Sequence, residues 1–328
     1  MQLATAIFLI VVGLAFAWSM GAHYTGAVMG MPYGSRSIRL WPALGLMAVM
    51  TTLGATFASH RVQYTVGLHI VDAARVTIAE AIIIVLSAVI LTTIYTYLKV
   101  PTSTIQILVF CVVGVGLAAG IPIHWDTIGR LALTWVLAPP VAAVLGFLFT
   151  KLFDQFLPPG IAKPSEVIGI ARILPLLLVM VGMGSSFVLG ANDVANATGV
   201  FIMTSVMGVW LAGLAGGLAM ALGALTWGRR ILDRVAFDVV HLDLIMASAA
   251  QLVQALVVIS AVTQGLFTSM NQALIGAMAG TGLARGRQAV QWRTILGIFE
   301  GWLISPASGL AIAYGLTWLL LAVWGARG

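Results

Sequence analysis

The sequence predicts an all-α polytopic membrane protein made of two inverted-topology repeats of about five spans each, with interrupted or hairpin-like helices at the centre. Three observations carry this expectation. Of the 328 residues, 61% are hydrophobic and 8% charged, with a mean hydropathy of +1.07, which is more apolar surface than a water-soluble globule can hide. Apolar runs near the roughly 20 residues needed to cross a hydrocarbon core recur along the whole length. The two halves also echo each other in order. Gly21-Ala22 returns as Gly190-Ala191 and Gly54-Ala55 as Gly223-Ala224, both at an offset of 169 residues. Thr102-Ser103, Gln106, Gly114 and Gly116-Leu117-Ala118 return as Thr268-Ser269, Gln272, Gly280 and Gly282-Leu283-Ala284, while Trp135 and Pro139 return as Trp302 and Pro306.

The first run, Leu3 to Met20, has neither a basic leader nor a small-residue cleavage signal and reads as a retained span. Spans follow at 38–58, 74–98, 103–120 and 127–150. Residues 151–166 are polar and contain Pro158, Pro159 and Pro164, the composition of a connector. A second set occupies 167–188, 208–228, 240–264, 268–284 and 295–325, so that residues 1–150 form one repeat and 167–328 the other. Basic residues concentrate in cytoplasmic loops. Arg36 and Arg39 have no basic counterpart around Ser205 to Gly208. Arg61, by contrast, matches Arg229, Arg230 and Arg234, and the uncharged Gly120 to Ile123 matches Arg285, Arg287 and Arg293. The halves are thus expected to be oppositely inserted in the cell inner membrane, with the 151–166 connector cytoplasmic and both termini outside. The net charge of +6 then reports topology rather than nucleic-acid binding. Cys111, the single cysteine, excludes disulfide frameworks and cysteine metal sites.

The most unusual segment is Gly190-Ala191-Asn192-Asp193-Val194-Ala195-Asn196-Ala197-Thr198-Gly199, a carboxylate and two carboxamides among small residues between apolar runs. An ionisable group at such depth costs about 3 kcal/mol or more unless paired or ligated, and therefore marks function. The plainer alternative is a polar patch joining helices. The paired segments Pro101-Thr102-Ser103-Thr104 and Phe267-Thr268-Ser269-Met270-Asn271-Gln272 place hydroxyls at the start of apolar helices. Unpaired N–H groups and the positive end of the helix dipole favour an anion there. Either segment alone is an ordinary N-cap; their duplication favours two helix ends meeting at the midplane around a tetrahedral oxyanion.

The segment from Gly190 to Gly199 resembles the GANDxANxxG signature of inorganic phosphate transporters. The resemblance covers nearly the whole chain, since the Thr-Ser segments are similar to the family's GxPxSTTHxxxG elements, although the histidine of those elements is missing from both copies. It implies an inverted-repeat fold, a central oxyanion site built by both repeats, cation-coupled uptake and a homodimer. By that resemblance Asn192, Asp193 and Asn196 inherit the signature's roles, with Gly21, Ala22, Thr102, Ser103, Thr104, Thr268, Ser269 and Asn271 completing the substrate site. No enzymatic activity, metal or cofactor is expected.

The first repeat departs from the signature, reading Gly21-Ala22-His23-Tyr24-Thr25-Gly26-Ala27-Val28-Met29-Gly30. A sodium site would lose hard oxygen ligands where the Asn-Asp pair becomes His23-Tyr24 and the second Asn becomes Ala27. Phosphate carries protons that need an acceptor, whereas sulfate needs only donors. The lost aspartate therefore tilts the expectation toward proton-coupled sulfate uptake, and Gly21 to Ser35 resembles the sulfate permease branch. Sodium- or proton-coupled phosphate transport is the alternative, kept open by Asp193. His23, with an unperturbed pKa of about 6.5, is read either as a proton carrier or as a neutral packed histidine. Glu80, as a proton carrier or partner of Arg75, and Asp193 complete the coupling-ion candidates. Glu300 reads as a solvated or paired carboxylate, and the string Asp233, Arg234, Asp238, His241 and Asp243 as an interfacial helix start.

Overall fold

The structure, a computed structural model, describes residues 2–98, 102–156, 164–234, 243–286 and 292–325. Pro101, Pro158, Pro159, Asp238 and His241 lie outside the described residues. The helices are α1 (Gln2–His23), α2 (Thr25–Gly34), α3 (Leu40–Phe57), α4 (His60–Leu68), α5 (Ile78–Tyr97), α6 (Thr104–Ala119) and α7 (Trp125–Phe156), followed by α8 (Pro164–Met203), α9 (Val209–Trp227), α10 (Arg229–Arg234), α11 (Leu244–Thr263), α12 (Met270–Arg285) and α13 (Trp292–Gly325). Among the described residues the only β pairing is an isolated bridge between Val71 and Ile123.

Among the described residues eight helical segments are long and apolar enough to cross a membrane, α1 and α2 counting as one of 32 residues. The ten expected spans reduce accordingly. The stretches 103–120 and 268–284 are α6 and α12, each of 16 residues. At about 24 Å they fall short of a hydrocarbon core about 30 Å thick. Each is instead the returning arm of a hairpin. The start of α5 and the end of α6 are held together by Asp72 N–H donating to the Pro122 carbonyl (3.0 Å) and His124 N–H to the Ile70 carbonyl (2.9 Å), beside the start of α7. The start of α11 and the end of α12 are held by Arg285, which bonds Asp243 at 3.1 Å and Asp154, near the end of α7, at 2.6 Å. Since α7 runs 32 residues, the hairpins α5–α6 and α11–α12 enter from its opposite ends. Within the packing, α12 lies on α7 and α6 on α13.

Two helix crossings fix the centre, and glycines explain both. A Cβ on Gly21 would sit 1.9 Å from the Met220 carbonyl oxygen, and one on Gly223 1.8 Å from that of Trp18, so α1 and α9 touch backbone to backbone. At the α3–α8 crossing the same holds for Gly54 against Phe187 (1.9 Å) and Gly190 against Thr51 (2.0 Å). Each contact in one crossing maps onto a contact in the other by the 169-residue offset.

The hairpin-like helices expected at the centre are α5–α6 and α11–α12. The segment 190–199 lies inside α8, an unbroken helix of 40 residues. Small residues let α8 pass close to its neighbours without unwinding, and Thr198 returns its hydroxyl to the Val194 carbonyl (2.9 Å). In the first half only Tyr24 (φ −95°, ψ 0°) departs from the helix, between α1 and α2. The non-helical backbone at the centre comes from the hairpin tips. Around the outside, α7 and α13 expose Leu133, Val136, Val144, Leu303, Trp318 and Leu319, a surface that suits lipid.

Candidate functional site

Both hairpin tips end in a serine that caps the returning helix. Ser103 Oγ accepts the Gln106 N–H (3.4 Å) and Ser269 Oγ the Gln272 N–H (3.3 Å), so the hydroxyls are N-caps and the helix N-termini point into the protein. Thr102, Ser103, Thr104, Thr268 and Ser269 are all fully buried. The tips meet: Asn271 Nδ2 donates to the Thr102 carbonyl (2.8 Å) and Gln272 Nε2 to Gln106 Oε1 (3.3 Å).

The α8 segment closes the site from the side. Asn192 holds the second tip, donating to the Thr268 carbonyl (2.8 Å) and accepting the Thr268 N–H (3.3 Å). The same amide donates to Asp193 Oδ2 (2.8 Å). Asn196 Nδ2 reaches Met20 Sδ at 3.8 Å. On the first tip, the Tyr24 hydroxyl pairs with Thr104 Oγ1 (2.8 Å) and neighbours the Asp193 carboxylate. His23 Nδ1 pairs with Thr96 Oγ1 (2.7 Å).

Asn192, Asp193, Thr102, Ser103, Thr104, Thr268, Ser269, Asn271 and His23 are thus gathered around the two tips, while Asn196, one turn along α8 from Asn192, lies against Met20 of α1. Gly21 is instead accounted for by its crossing with α9, and Ala22 is buried beside it. Glu80 lies elsewhere. It completes a capping box at the start of α5, accepting from Thr77 N–H (2.7 Å) and the Thr77 hydroxyl (2.8 Å). Along α5 it stands about 24 Å from Thr96, the residue that holds His23. Arg75 pairs with Asp72 at 3.1 Å rather than with Glu80. Asp233 pairs with Arg229 (3.4 Å) near the end of α10, and Asp243 caps the start of α11. Tyr24 was not a candidate from sequence, yet a signal for it existed, because the 169-residue offset carries it onto Asp193.

Several buried polar atoms here have no protein partner: Thr102 and Thr268 Oγ1, Asp193 Oδ1 and His23 Nε2. Such atoms are costly unless something polar meets them, and they cluster where the two helix N-termini converge. Among the described residues no lysine or arginine is buried. An anion at this point would be held by N–H groups, hydroxyls and helix dipoles alone.

Each tip also borders a cavity. One of about 360 Å³, lined by Thr65, His69, His124, Asp126, Arg130 and Gln264, lies over the second tip. Arg61 Nη1 fastens that tip by donating to the Thr263 carbonyl (2.5 Å), and the Thr65 hydroxyl by donating to that of Gly265 (2.6 Å). The other, of about 280 Å³, is lined by Thr96, Tyr97, Trp227, Arg230 and Ile231 at the first tip.

Residues 20–313 match the phosphate transporter family. The chain is 30% identical to the sulfate permease CysP of Bacillus subtilis, the alignment covering 98% of this chain and 88% of that protein. It is 24% identical to a putative phosphate permease of Methanocaldococcus jannaschii, over 93% of this chain and 94% of the other. Among solved structures it is similar to one described as the sodium-dependent phosphate transporter, with a TM-score of 0.86 and 22% identity over 98% of this chain and all of that one. These relatives are transporters, not enzymes.

Proposed function

Because this chain belongs to the phosphate transporter family, and is therefore a multi-pass membrane transporter of small inorganic anions, we propose that it takes up sulfate with protons by alternating access. The observation that carries this reading is the site itself, two hydroxyl-capped helix N-termini meeting beside a carboxylate, with no lysine or arginine buried among the described residues. Such a site offers mainly donors, which a fully deprotonated tetrahedral dianion accepts without needing acceptors in return. The 30% identity to a sulfate permease agrees with it. In this reading Asn192, Asp193, Asn196, Thr102, Ser103, Thr104, Thr268, Ser269 and Asn271 form the anion site.

Moving a dianion inward against a negative-inside potential costs roughly 2.3 kcal/mol per charge per 100 mV, so cations must accompany it. His23 and Asp193 are the proton carriers in this reading, both buried at the tips. The reciprocal α1–α9 and α3–α8 crossings and the opposed hairpins support two inverted repeats, 1–150 and 167–328, that rock about the site. The 151–166 connector is then cytoplasmic, the termini external, and two copies pair as a homodimer in the membrane. Phosphate is the second reading, favoured by the free Asp193 Oδ1, an acceptor for a phosphate proton.

The test is uptake of labelled sulfate into proteoliposomes under an imposed proton gradient or an imposed sodium gradient, with excess phosphate as competitor. Accumulation driven by protons and indifferent to phosphate is expected. Phosphate accumulation driven by sodium, with no sulfate uptake, would overturn the proposal.

A further inference from the structure

His23 is the buried imidazole at the first tip, and the hydrogen bonds around it decide which ring nitrogen carries the proton. Its Nδ1 meets Thr96 Oγ1 at 2.7 Å, and the Thr96 hydroxyl donates to the Thr92 carbonyl, also at 2.7 Å. A hydroxyl has one proton to give. The Thr92 carbonyl can only accept it, so the Thr96 oxygen is left to accept from His23 Nδ1–H. Nε2 of the neutral ring is then a bare lone pair. Both side chains are buried and Nε2 has no protein partner. Because Thr96 also lines the cavity of about 280 Å³ at the first tip, the bare nitrogen is on the side of the ring away from that cavity. Around this pair, Tyr24 meets the ring at right angles with centroids 5.2 Å apart. Tyr97 and Arg230 line the cavity beyond Thr96, Arg229 pairs with Asp233, and Asp193 belongs to the anion site.

We propose that Thr96 is a positioning residue for coupling: it holds neutral His23 with Nδ1 protonated, so that the transported proton is taken up at Nε2. The Nε2 lone pair binds the proton, no bond of the ring breaks, and an acceptor becomes an N–H donor on an imidazolium. Protonation thus adds one positive charge and one donor to a site in which, among the described residues, no lysine or arginine is buried. A dianion and the Nε2 proton therefore favour each other's binding, and each does so by the same factor. Without the Thr96 oxygen, Nδ1–H becomes a buried donor lacking a partner, and nothing selects one tautomer over the other. The inference rests on the proton-coupled carrier reading above and adds to it the atom that takes the proton and the residue that directs it there.

The first measurement is nitrogen NMR of the reconstituted protein labelled at histidine, with His23 identified by the signals missing from His23→Gln. At neutral pH without anion, Nδ1 is expected to carry the proton and Nε2 none; with saturating sulfate or phosphate in a mildly acidic medium, an Nε2–H should appear. A resting ring protonated on Nε2, or an Nε2 that stays bare with anion bound, would defeat the proposal. The second measurement is proton-driven uptake of labelled sulfate into proteoliposomes by Thr96→Val, which keeps the shape and loses the oxygen, and by Thr96→Ser, which keeps the oxygen. Uptake should fall at least about tenfold in Thr96→Val, through the one hydrogen bond that orients the ring, and stay within about twofold of wild type in Thr96→Ser. Thr96→Val should also lose the single-tautomer signature, which a merely structural role of Thr96 would leave in place. Equal uptake by the two variants would count against the assignment. Should Thr96→Val fail to fold, the wild-type spectra still decide. Absence of any sulfate or phosphate uptake by the wild type would reject the carrier reading itself, an outcome separate from a carrier whose His23 takes its proton at Nδ1.

Discussion

Gly190 and Gly45 both lie inside helices, yet substitution by alanine should move stability in opposite directions. A Cβ at Gly190 would lie 2.0 Å from the Thr51 carbonyl, a contact between two backbones that no rotamer relieves. At Gly45 a Cβ would meet nothing within 4 Å. Gly190→Ala should therefore cost about 3 kcal/mol or more through overpacking, while Gly45→Ala should gain up to about 1 kcal/mol from helix propensity. Thermal unfolding of the purified variants checks this, and similar midpoints for both would mean that α3 and α8 do not cross as closely as described. Asn192 acts differently, through the two bonds that hold the Thr268 backbone. Asn192→Ala should weaken binding of the transported anion at least about tenfold by releasing one helix N-terminus from its aim, read by titration of the binding heat. Unchanged affinity would show that the second tip is positioned without it.

At the scale of elements, Glu80 shows how a buried carboxylate in an apolar run can be structural. Its oxygen closes the α5 capping box with Thr77, so Glu80→Ala should lower stability by about 1 kcal/mol and leave the pH profile of uptake where it was. A shifted profile would return Glu80 to the coupling machinery. The second hairpin tip offers another test, because Arg61 and Thr65 hold it through the carbonyls of Thr263 and Gly265. Arg61→Ala should free that tip and raise the rate at which a cysteine at Leu266 reacts with an impermeant thiol reagent, by about fivefold for one lost hydrogen bond of about 1 kcal/mol. An unchanged rate would mean that the latch does not restrain the tip. Hydropathy located both hairpins, but it counted α6 and α12 as spans. A helix arm buried among protein is apolar all round, as a lipid-facing span is, and only its 16-residue length distinguishes it. The continuity of α8 was hidden for a related reason. The mixture of Gly, Ala and Asn at 190–199 looks like a break in sequence, but those small residues serve the crossing with α3 and leave the helix intact.

For the whole molecule, what the sequence made legible was the duplication and its chemistry, because polar residues in a greasy chain are scarce enough for an ordered series of matches to stand out. What it hid was the pairing between halves, since contact of α1 with α9 and of α3 with α8 depends on tertiary packing that no local pattern records. That pairing makes a topological prediction. The α5–α6 hairpin opens at the start of α7 and the α11–α12 hairpin at its end, so their tips reach toward opposite faces of the membrane. Gln264, beside the second tip, lines the cavity shared with the start of α7, and Ile231 the cavity at the first tip. Cys111 is buried and gives a silent background for thiol labelling. A cysteine at Gln264 should react with an impermeant reagent on intact cells, and a cysteine at Ile231 only after the membrane is opened, because the arginines around Ile231 mark the cytoplasmic side. Labelling of both from one face would break the inverted arrangement. Labelling of each from the face opposite to that stated would keep the inversion but reverse the insertion, placing the termini inside and the 151–166 connector outside, against the distribution of basic residues.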